Sequence, residues 1–218
     1  MTISMPGMPR MDRLPAQERG LTIGDFLVPI RVSERLNTRA RHAALVLIGI
    51  ALMALCARVA FYGPNNPVPY TLQTFGVLLT AGALGFRRGV AATVLYLALG
   101  AIGLPILAEG KHGVEWIMGA SGGYLVGFIV ASALVGRLAE LGWDRTIVGA
   151  IGAMVLGSLV IYAVGVPWLA LAAFHGDLGL AFDKGMRTFL LWDAFKLLLA
   201  AIAFPAAWWF VGRRPGDR

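Results

Sequence analysis

Two charged residues stand inside a long apolar run, Leu190-Leu191-Trp192-Asp193-Ala194-Phe195-Lys196-Leu197-Leu198-Leu199, which continues to Phe210 broken only by Pro205. Residues three apart on a helix share a face, so Asp193 and Lys196 point the same way. A charge at membrane depth costs at least a few kcal/mol per group, so keeping two of them must gain something. An ionisable pair facing a cavity marks a functional site by default. The competing reading is a pair that neutralises itself and only fixes helix packing.

Other polar groups cluster in two loops. The first reads Tyr62-Gly-Pro-Asn-Asn-Pro-Val-Pro-Tyr-Thr-Leu-Gln-Thr74. It has three prolines and no charge. Proline stiffens a chain, and stiffness suits a cap over a pocket. Thr71, Gln73 and Thr74 then bring hydroxyl and amide groups to the start of the next helix. Gln donates and accepts at once, as recognition of a neutral amide-like group requires. The alternative role for Thr71 is helix capping. A second loop, 103–124, is glycine-rich and ends in Gly122-Gly123. Bare backbone N–H groups at a helix start can hold a carboxylate; close helix packing explains the same glycines equally well.

Several chemistries are excluded. Gly119-Ala-Ser-Gly122 fits the pattern of an intramembrane serine protease, which needs a histidine on another span as base. His42, His112 and His175 all lie at or beyond segment ends, so that reading is rejected. No paired intramembrane aspartates and no Gly-x-x-x-x-Gly-Lys-[Ser/Thr] phosphate loop are present. The single cysteine, Cys56, permits neither a disulfide framework nor a cysteine metal site. No metal and no cofactor are expected.

The elements that position these residues are membrane spans. The chain is 58% hydrophobic and 14% charged, with mean hydropathy +0.72, against about 25% charged residues in soluble domains. Six apolar segments, at 42–61, 72–86, 88–107, 122–141, 146–169 and 188–210, approach the ~20 residues that cross a bilayer. The net charge of +7 does not signal nucleic acid, because the bases fall between apolar runs rather than in a stripe with interleaved aromatics. Eleven cations (Arg31, Arg35, Arg39, Arg41, Arg87, Arg88, Arg137, Arg145, Arg213, Arg214, Arg218) flank one side, and three (Lys111, Lys184, Arg187) the other. This asymmetry predicts an all-α protein with six spans and both termini cytoplasmic. It also sets Arg58, Asp193 and Lys196 toward the outer side, as if around one polar cavity; the competing role for Arg58 is snorkelling to the interface.

Residues 1–41 form a basic cytoplasmic tail. Leu21, Ile23, Phe26, Leu27, Ile30 and Val32 stand out in it; a short interfacial helix and a disordered extension are its two readings. Residues 42–212 form the membrane domain and 213–218 a second short tail. Small residues spaced four apart, such as Gly123 and Gly127 or Ala153 and Gly157, allow close helix packing in lipid. Ala40, Ala44, Ala51, Ala54 and Ala57 make helix 1 a candidate surface for another membrane protein.

Five motifs in order resemble the BioY family. They are Val68-Pro-Tyr-Thr-Leu-Gln-Thr74, Leu95-Tyr-Leu-x-Leu-Gly-Ala-Ile-Gly-Leu-Pro105, Gly119-x-x-Gly-Gly-Tyr-Leu-x-Gly-Phe128, Ile161-Tyr-x-x-Gly-x-Pro-Trp-Leu169 and Asp193-x-x-Lys196. The likeness covers about residues 44–210 and leaves out the tail. It implies a six-helix S component of an energy-coupling factor (ECF) transporter that captures biotin from outside beneath its first loop. The implied partners are a transmembrane T component and two ABC-type ATPases, with the vitamin released inside as the S component topples in the bilayer. It implies a transport protein, not an enzyme, in the cytoplasmic membrane. Ser158, where the family often has Asn, and Trp192, where glycine is common, depart from the pattern.

On that resemblance each surface of biotin finds residues. Lys196 pairs with the carboxylate or polarises the ureido oxygen, while Asp193 accepts from ureido N–H and keeps Lys196 charged. Gln73, Thr71 and Tyr124 add hydrogen bonds, and Tyr96, Trp116, Tyr162 and Trp192 give apolar walls. Gly122, Gly123 and Arg58 complete the candidate set. The alternatives are an S component for another vitamin, against which the single deep acid speaks when the ligand is cationic, and a membrane interaction protein that transports nothing.

Overall fold

A helix that must turn back on itself needs one residue free to take a positive φ, and Gly85 supplies it. The structure, a computed structural model, describes residues 22–27, 38–64 and 66–211. Within the helix α3 (Gln73–Ala101), Gly85 stands at φ 79°, ψ −178°, a conformation glycine adopts without steric cost. The helix does not continue straight through it. A Cβ on Gly89 would lie 2.9 Å from the Cα of Ala81, although eight residues of straight helix rise about 12 Å. The two halves therefore lie side by side. The break exposes the N–H of Phe86, which donates to Glu140 Oε1 at 3.0 Å.

In order, the helices are α1 (Ile23–Leu27), α2 (Thr38–Arg58), α3, α4 (Val114–Ile117), α5 (Gly122–Glu140), α6 (Ile147–Ala173), α7 (Leu178–Gly185) and α8 (Leu190–Val211). Five stretches are long and apolar enough to cross a membrane: Arg39–Arg58, Gln73–Ala101, Gly122–Glu140, Ile147–Ala173 and Leu178–Trp209. The sequence segments 72–86 and 88–107 fall together in one of these stretches, with Gly85 at the junction. Pro167 and Pro205 sit inside α6 and α8, as membrane helices tolerate when neighbours satisfy the freed carbonyls.

The bundle is built on α3 against α5; α6 packs on α5 and also meets α3 where Gly157 faces Leu78, and α2 packs on α3. Small residues permit this: the Cβ position of Gly127 is 3.0 Å from the Ile161 Cα, so α5 and α6 touch backbone to backbone. Leu45, Met53, Val77, Leu78, Ala92 and Tyr96 fill the interior with almost no exposure. The Thr93 and Ser132 hydroxyls pair at 2.8 Å across α3 and α5. Large side chains such as Leu191, Val148 and Leu171 point outward, the surface that lipid would cover.

Two short strands close the end of the bundle that carries the charged pair. β1 (Ala60–Phe61) and β2 (Tyr70–Thr71) are antiparallel, with Ala60 opposite Thr71 and Phe61 opposite Tyr70. They fix the base of the proline-rich loop between them. At the opposite end α1 packs on α3 and α8, with Thr22, Ile23 and Gly24 buried. Residues 1–21, 28–37 and 212–218, which include the rest of both tails, lie outside the described residues.

Candidate ligand-binding site

Helical spacing brings Asp193 and Lys196 onto one face of α8, where Lys196 Nζ meets Asp193 Oδ1 at 3.0 Å. The Lys196 side chain is buried, at 7% exposure, and that of Asp193 is partly buried, at 15%. Neutral hydroxyls from two other helices complete the network. Lys196 donates to Thr74 Oγ1 at 2.6 Å, and the Tyr162 hydroxyl donates to Asp193 Oδ2. Thus α8, α3 and α6 are tied at one depth by a cluster with no net charge. Two of the three Lys196 N–H donors are used in it.

Beside this cluster opens a cavity with about 540 Å³ of empty space, part of it facing solvent. Its polar end is formed by Lys196, Thr74, Gln73, Thr71 and Tyr162. Apolar walls come from Val68 and Pro69 of the first loop, Leu125 and Phe128 of α5, Ile161 of α6 and Phe189 before α8. Trp116, Ala108, Ser121 and Tyr124 close the remaining side. Among the described residues no group of three His, Cys, Asp or Glu could hold a metal.

Of the residues named from sequence, Lys196, Gln73, Thr71, Tyr124, Trp116 and Tyr162 line this cavity. Asp193 sits directly behind, joined to Lys196 and Tyr162. Tyr96 is fully buried and acts one layer back: its hydroxyl accepts from Gln73 Nε2 at 2.9 Å and donates to the Ile106 carbonyl at 2.8 Å. This fixes the Gln73 amide so that its oxygen remains as an acceptor. Thr71 Oγ1 also accepts from the Gln73 N–H at 3.2 Å, although the N-cap position of α3 is Leu72 and has no side-chain cap. Trp192 holds the hairpin, donating to the Thr71 carbonyl at 3.0 Å and meeting Phe61 edge-on at 5.3 Å. Tyr124 fits a slot left by two glycines; a Cβ on Gly165 would come within 2.4 Å of its ring, and one on Gly185 within 2.3 Å of its hydroxyl.

Six candidates are not brought to the cavity wall: Asp193 behind it, Tyr96 and Trp192, which the sequence casts as apolar walls but which hold Gln73 and the hairpin instead, and Arg58, Gly122 and Gly123. Arg58 donates to the Pro105 carbonyl at 2.6 Å on the exposed rim, so it anchors the loop after α3 instead of sharing a cavity with the pair. Gly122 and Gly123 are filled by Trp168, whose Cβ lies 2.2 Å from the Cβ position of Gly123. The Trp168 indole donates to the Gly119 carbonyl at 2.9 Å. Their space is taken by helix packing, the second of the two readings of these glycines. Sequence reasoning did not single out Ser121, Phe128 or Phe189 as lining residues, nor Asn66 behind the loop. Phe128 and Ile161 lay within quoted motifs, the one signal that could have found them.

A belt of long apolar helices around one small cavity with a few convergent polar groups defines a multi-pass membrane protein with a small-molecule site. The chain belongs to the BioY family, whose model matches residues 31–213. It is 39% identical over 139 residues to the biotin transporter BioY of Thermotoga maritima, covering 64% of this chain and 80% of that one. It is 36% identical to the biotin transporter BioY of Rhizobium etli over 62% of this chain and 75% of that one. A probable biotin transporter BioY of Pyrococcus horikoshii is 35% identical, over 75% of this chain and 94% of that one. The fold is that of a crystal structure of the S-component for biotin from an ECF-type ABC transporter, with TM-score 0.71 and 24% identity over 78% of this chain and 93% of that one. The helix α1 precedes the family match.

Proposed function

We propose that this chain captures biotin at the cell membrane as the S component of an ECF-type transporter. The observation that carries this reading is the charge-balanced cluster of buried Lys196 with Asp193, Tyr162 and Thr74 opening onto an apolar cavity. Matched relatives are named biotin transporters, and the matched fold is an S-component for biotin. The protein is a carrier part, not an enzyme.

Biotin carries a neutral ureido ring, an apolar thioether ring with a valeryl chain, and a carboxylate. The polar end of the cavity presents the third Lys196 donor and the Gln73 oxygen without net charge. That suits the ureido ring, whose oxygen accepts from Lys196 and whose N–H donates to Gln73. Val68, Phe128, Ile161 and Phe189 then enclose the apolar rings, leaving the carboxylate toward the cavity mouth. Asp193 and Tyr162 hold Lys196 in place; Tyr96 does the same for Gln73.

The membrane organisation follows the charge count. The reversal at Gly85 supports counting α3 as two crossings, hence six in all, with both termini cytoplasmic and the cavity facing outward. Residues 42–212 then form the membrane domain between a tail at 1–41 and another at 213–218. A transmembrane T component and two ABC-type ATPases would supply the energy for release inside.

Equilibrium binding of radiolabelled vitamins to the purified protein tests the ligand. Saturable binding of biotin, uncontested by thiamine or riboflavin, is the expected result. Saturable binding of another vitamin and none of biotin would overturn the reading. Copurification from native membranes tests the partners.

A further inference from the structure

We propose that Asn66 is the latch of the ligand cavity, a positioning residue that sets how fast ligand enters and leaves. The proposal rests on the cavity being the biotin site and adds the step that controls access to it. Two flaps cover the cavity: the first loop brings Val68 and Pro69 to its wall, and the connection from α7 to α8 brings Phe189. The first loop can fasten itself only sparingly, because Pro64, Pro67 and Pro69 have no N–H to donate. Asn66 makes up for this from a buried position, 8% exposed.

Its two side-chain atoms do different work. The oxygen accepts from the Val68 N–H at 3.0 Å and shapes the loop. The nitrogen crosses to the other flap, donating to the Lys184 carbonyl at 2.8 Å with Thr188 Oγ1 at 3.5 Å. Thr188 in turn donates to the same Lys184 carbonyl at 3.0 Å. Among the described residues this is the one polar side-chain link from residues 62–69 to residues 184–189. Apolar stacking of Tyr70 on Phe189, centroids 4.3 Å apart, accompanies it but slides more easily than a directional bond breaks. On this proposal, parting the two flaps requires separating Asn66 from Lys184.

Asn66 touches the cavity through Val68 and not directly, so its removal has a kinetic signature. A residue that grips ligand changes mainly the dissociation rate. A latch that is shut in both the free and the bound state slows both directions, and opening it speeds both.

Asn66→Asp separates the two roles of the side chain. Aspartate still accepts from the Val68 N–H but offers the Lys184 carbonyl no donor. Association and dissociation of biotin would be followed by stopped-flow on the full chain in nanodiscs, with hydrogen exchange of residues 62–70 as a readout that needs no ligand. For Asn66→Asp and Asn66→Ala we expect both rate constants to rise about three- to tenfold, as loss of one buried hydrogen bond implies, with Kd little changed and exchange faster. Thr188→Ala should move both rates the same way by less. Rates and exchange of Asn66→Asp equal to wild type would reduce Asn66 to a local turn former and overturn the proposal. A weaker Kd with an unchanged association rate would overturn it too, by making Asn66 part of the ligand grip. If the wild type binds no biotin, the functional reading fails, and exchange alone still decides the latch: faster exchange in Asn66→Asp upholds it and unchanged exchange overturns it.

Discussion

The two ends of the bundle use the same residue types to opposite ends. At the cavity end one acid and one base, Asp193 and Lys196, are held by the hydroxyls of Tyr162 and Thr74 beside empty space. At the other end the acids are stitched to chain breaks. Asp25 pairs with Arg88 at 2.6 Å, accepts from the Thr22 N–H at 3.0 Å, and its carbonyl takes the Arg41 guanidinium. Glu140 caps the helix restart at Phe86 and pairs with Arg137 at 2.8 Å. Asp144 accepts from the Trp208 indole at 2.8 Å, and Arg145 lies 4.9 Å over the same ring. What separates recognition from stapling is therefore not the charge but what the network encloses. One encloses a cavity; the other ties up the backbone N–H groups of Thr22 and Phe86 and the indole of Trp208.

The largest test of this contrast is Lys196→Ala. It removes a ligand contact and leaves Asp193 partly buried without its cation, so biotin affinity should fall by roughly 2–5 kcal/mol, measured by calorimetry. If Lys196 meets the ureido oxygen, the loss is the same for biotin and biotin amide; a loss confined to biotin would put the carboxylate there.

At the stapled end the effect should fall on stability. Burial pushes the Asp144 carboxyl up to about 6, although the Trp208 indole and Arg145 act against it. The folded protein then holds this proton more tightly than the unfolded chain. Its contribution is greatest below the ordinary carboxylate value of 3.8 and declines as pH rises to about 6, then stays level. Over that window the change is at most roughly 3 kcal/mol. Asn at position 144 should flatten the pH profile of thermal unfolding and leave the biotin Kd unchanged.

Gly85→Ala comes next. A φ of 79° with ψ of −178° is essentially a glycine conformation that strains an L residue by about 1–3 kcal/mol, and the new methyl would meet Thr22 Cγ2 at 3.0 Å and Glu140 Oε1 at 3.1 Å. Thermal unfolding should register a lower Tm with little change in ligand affinity per folded molecule. The smallest effect is Asp25→Asn. Burial raises the Asp25 carboxyl, but the Thr22 N–H and Arg88 outweigh it and hold the group below its ordinary value. Its stabilisation is present above that value and is lost as pH falls beneath it. Being partly exposed and screened, the pair is worth about 1 kcal/mol or less, and high salt should reproduce part of the loss in an unfolding curve.

The same contrast explains what could be read from the sequence. Charges inside apolar runs are costly, so Asp193 and Lys196 stand out; Gln73 stands out as an amide beside the proline-rich loop, and Tyr162 follows from a family motif. Arg58 illustrates the limit: hydropathy gives depth along the membrane normal but not lateral position, and the structure turns that side chain to Pro105. The Arg87-Arg88-Gly89 cut placed the division of α3 within two residues of Gly85, because turns collect charge and glycine. Gly122 and Gly123 were ambiguous, since bare backbone serves an anion and a tryptophan alike, and Trp168 occupies it. Asn66 carries no periodicity in a proline-rich loop, and only its partner 118 residues away gives it meaning. The burial of Thr22 and Ile23 was invisible for the same reason, as their contacts are with residues far along the chain.

The reversal at Gly85 has a mechanical side. The stretch from Gln73 to Leu84 is about 18 Å long at helical rise, while the hydrocarbon core of a bilayer is about 30 Å thick. Polar groups stand at both of its ends, Gln73 at the cavity and Arg88 just past the turn. None of the residues from Gln73 to Leu84 is exposed, so neighbouring helices shield this short element from lipid and the bilayer need not thin to match it.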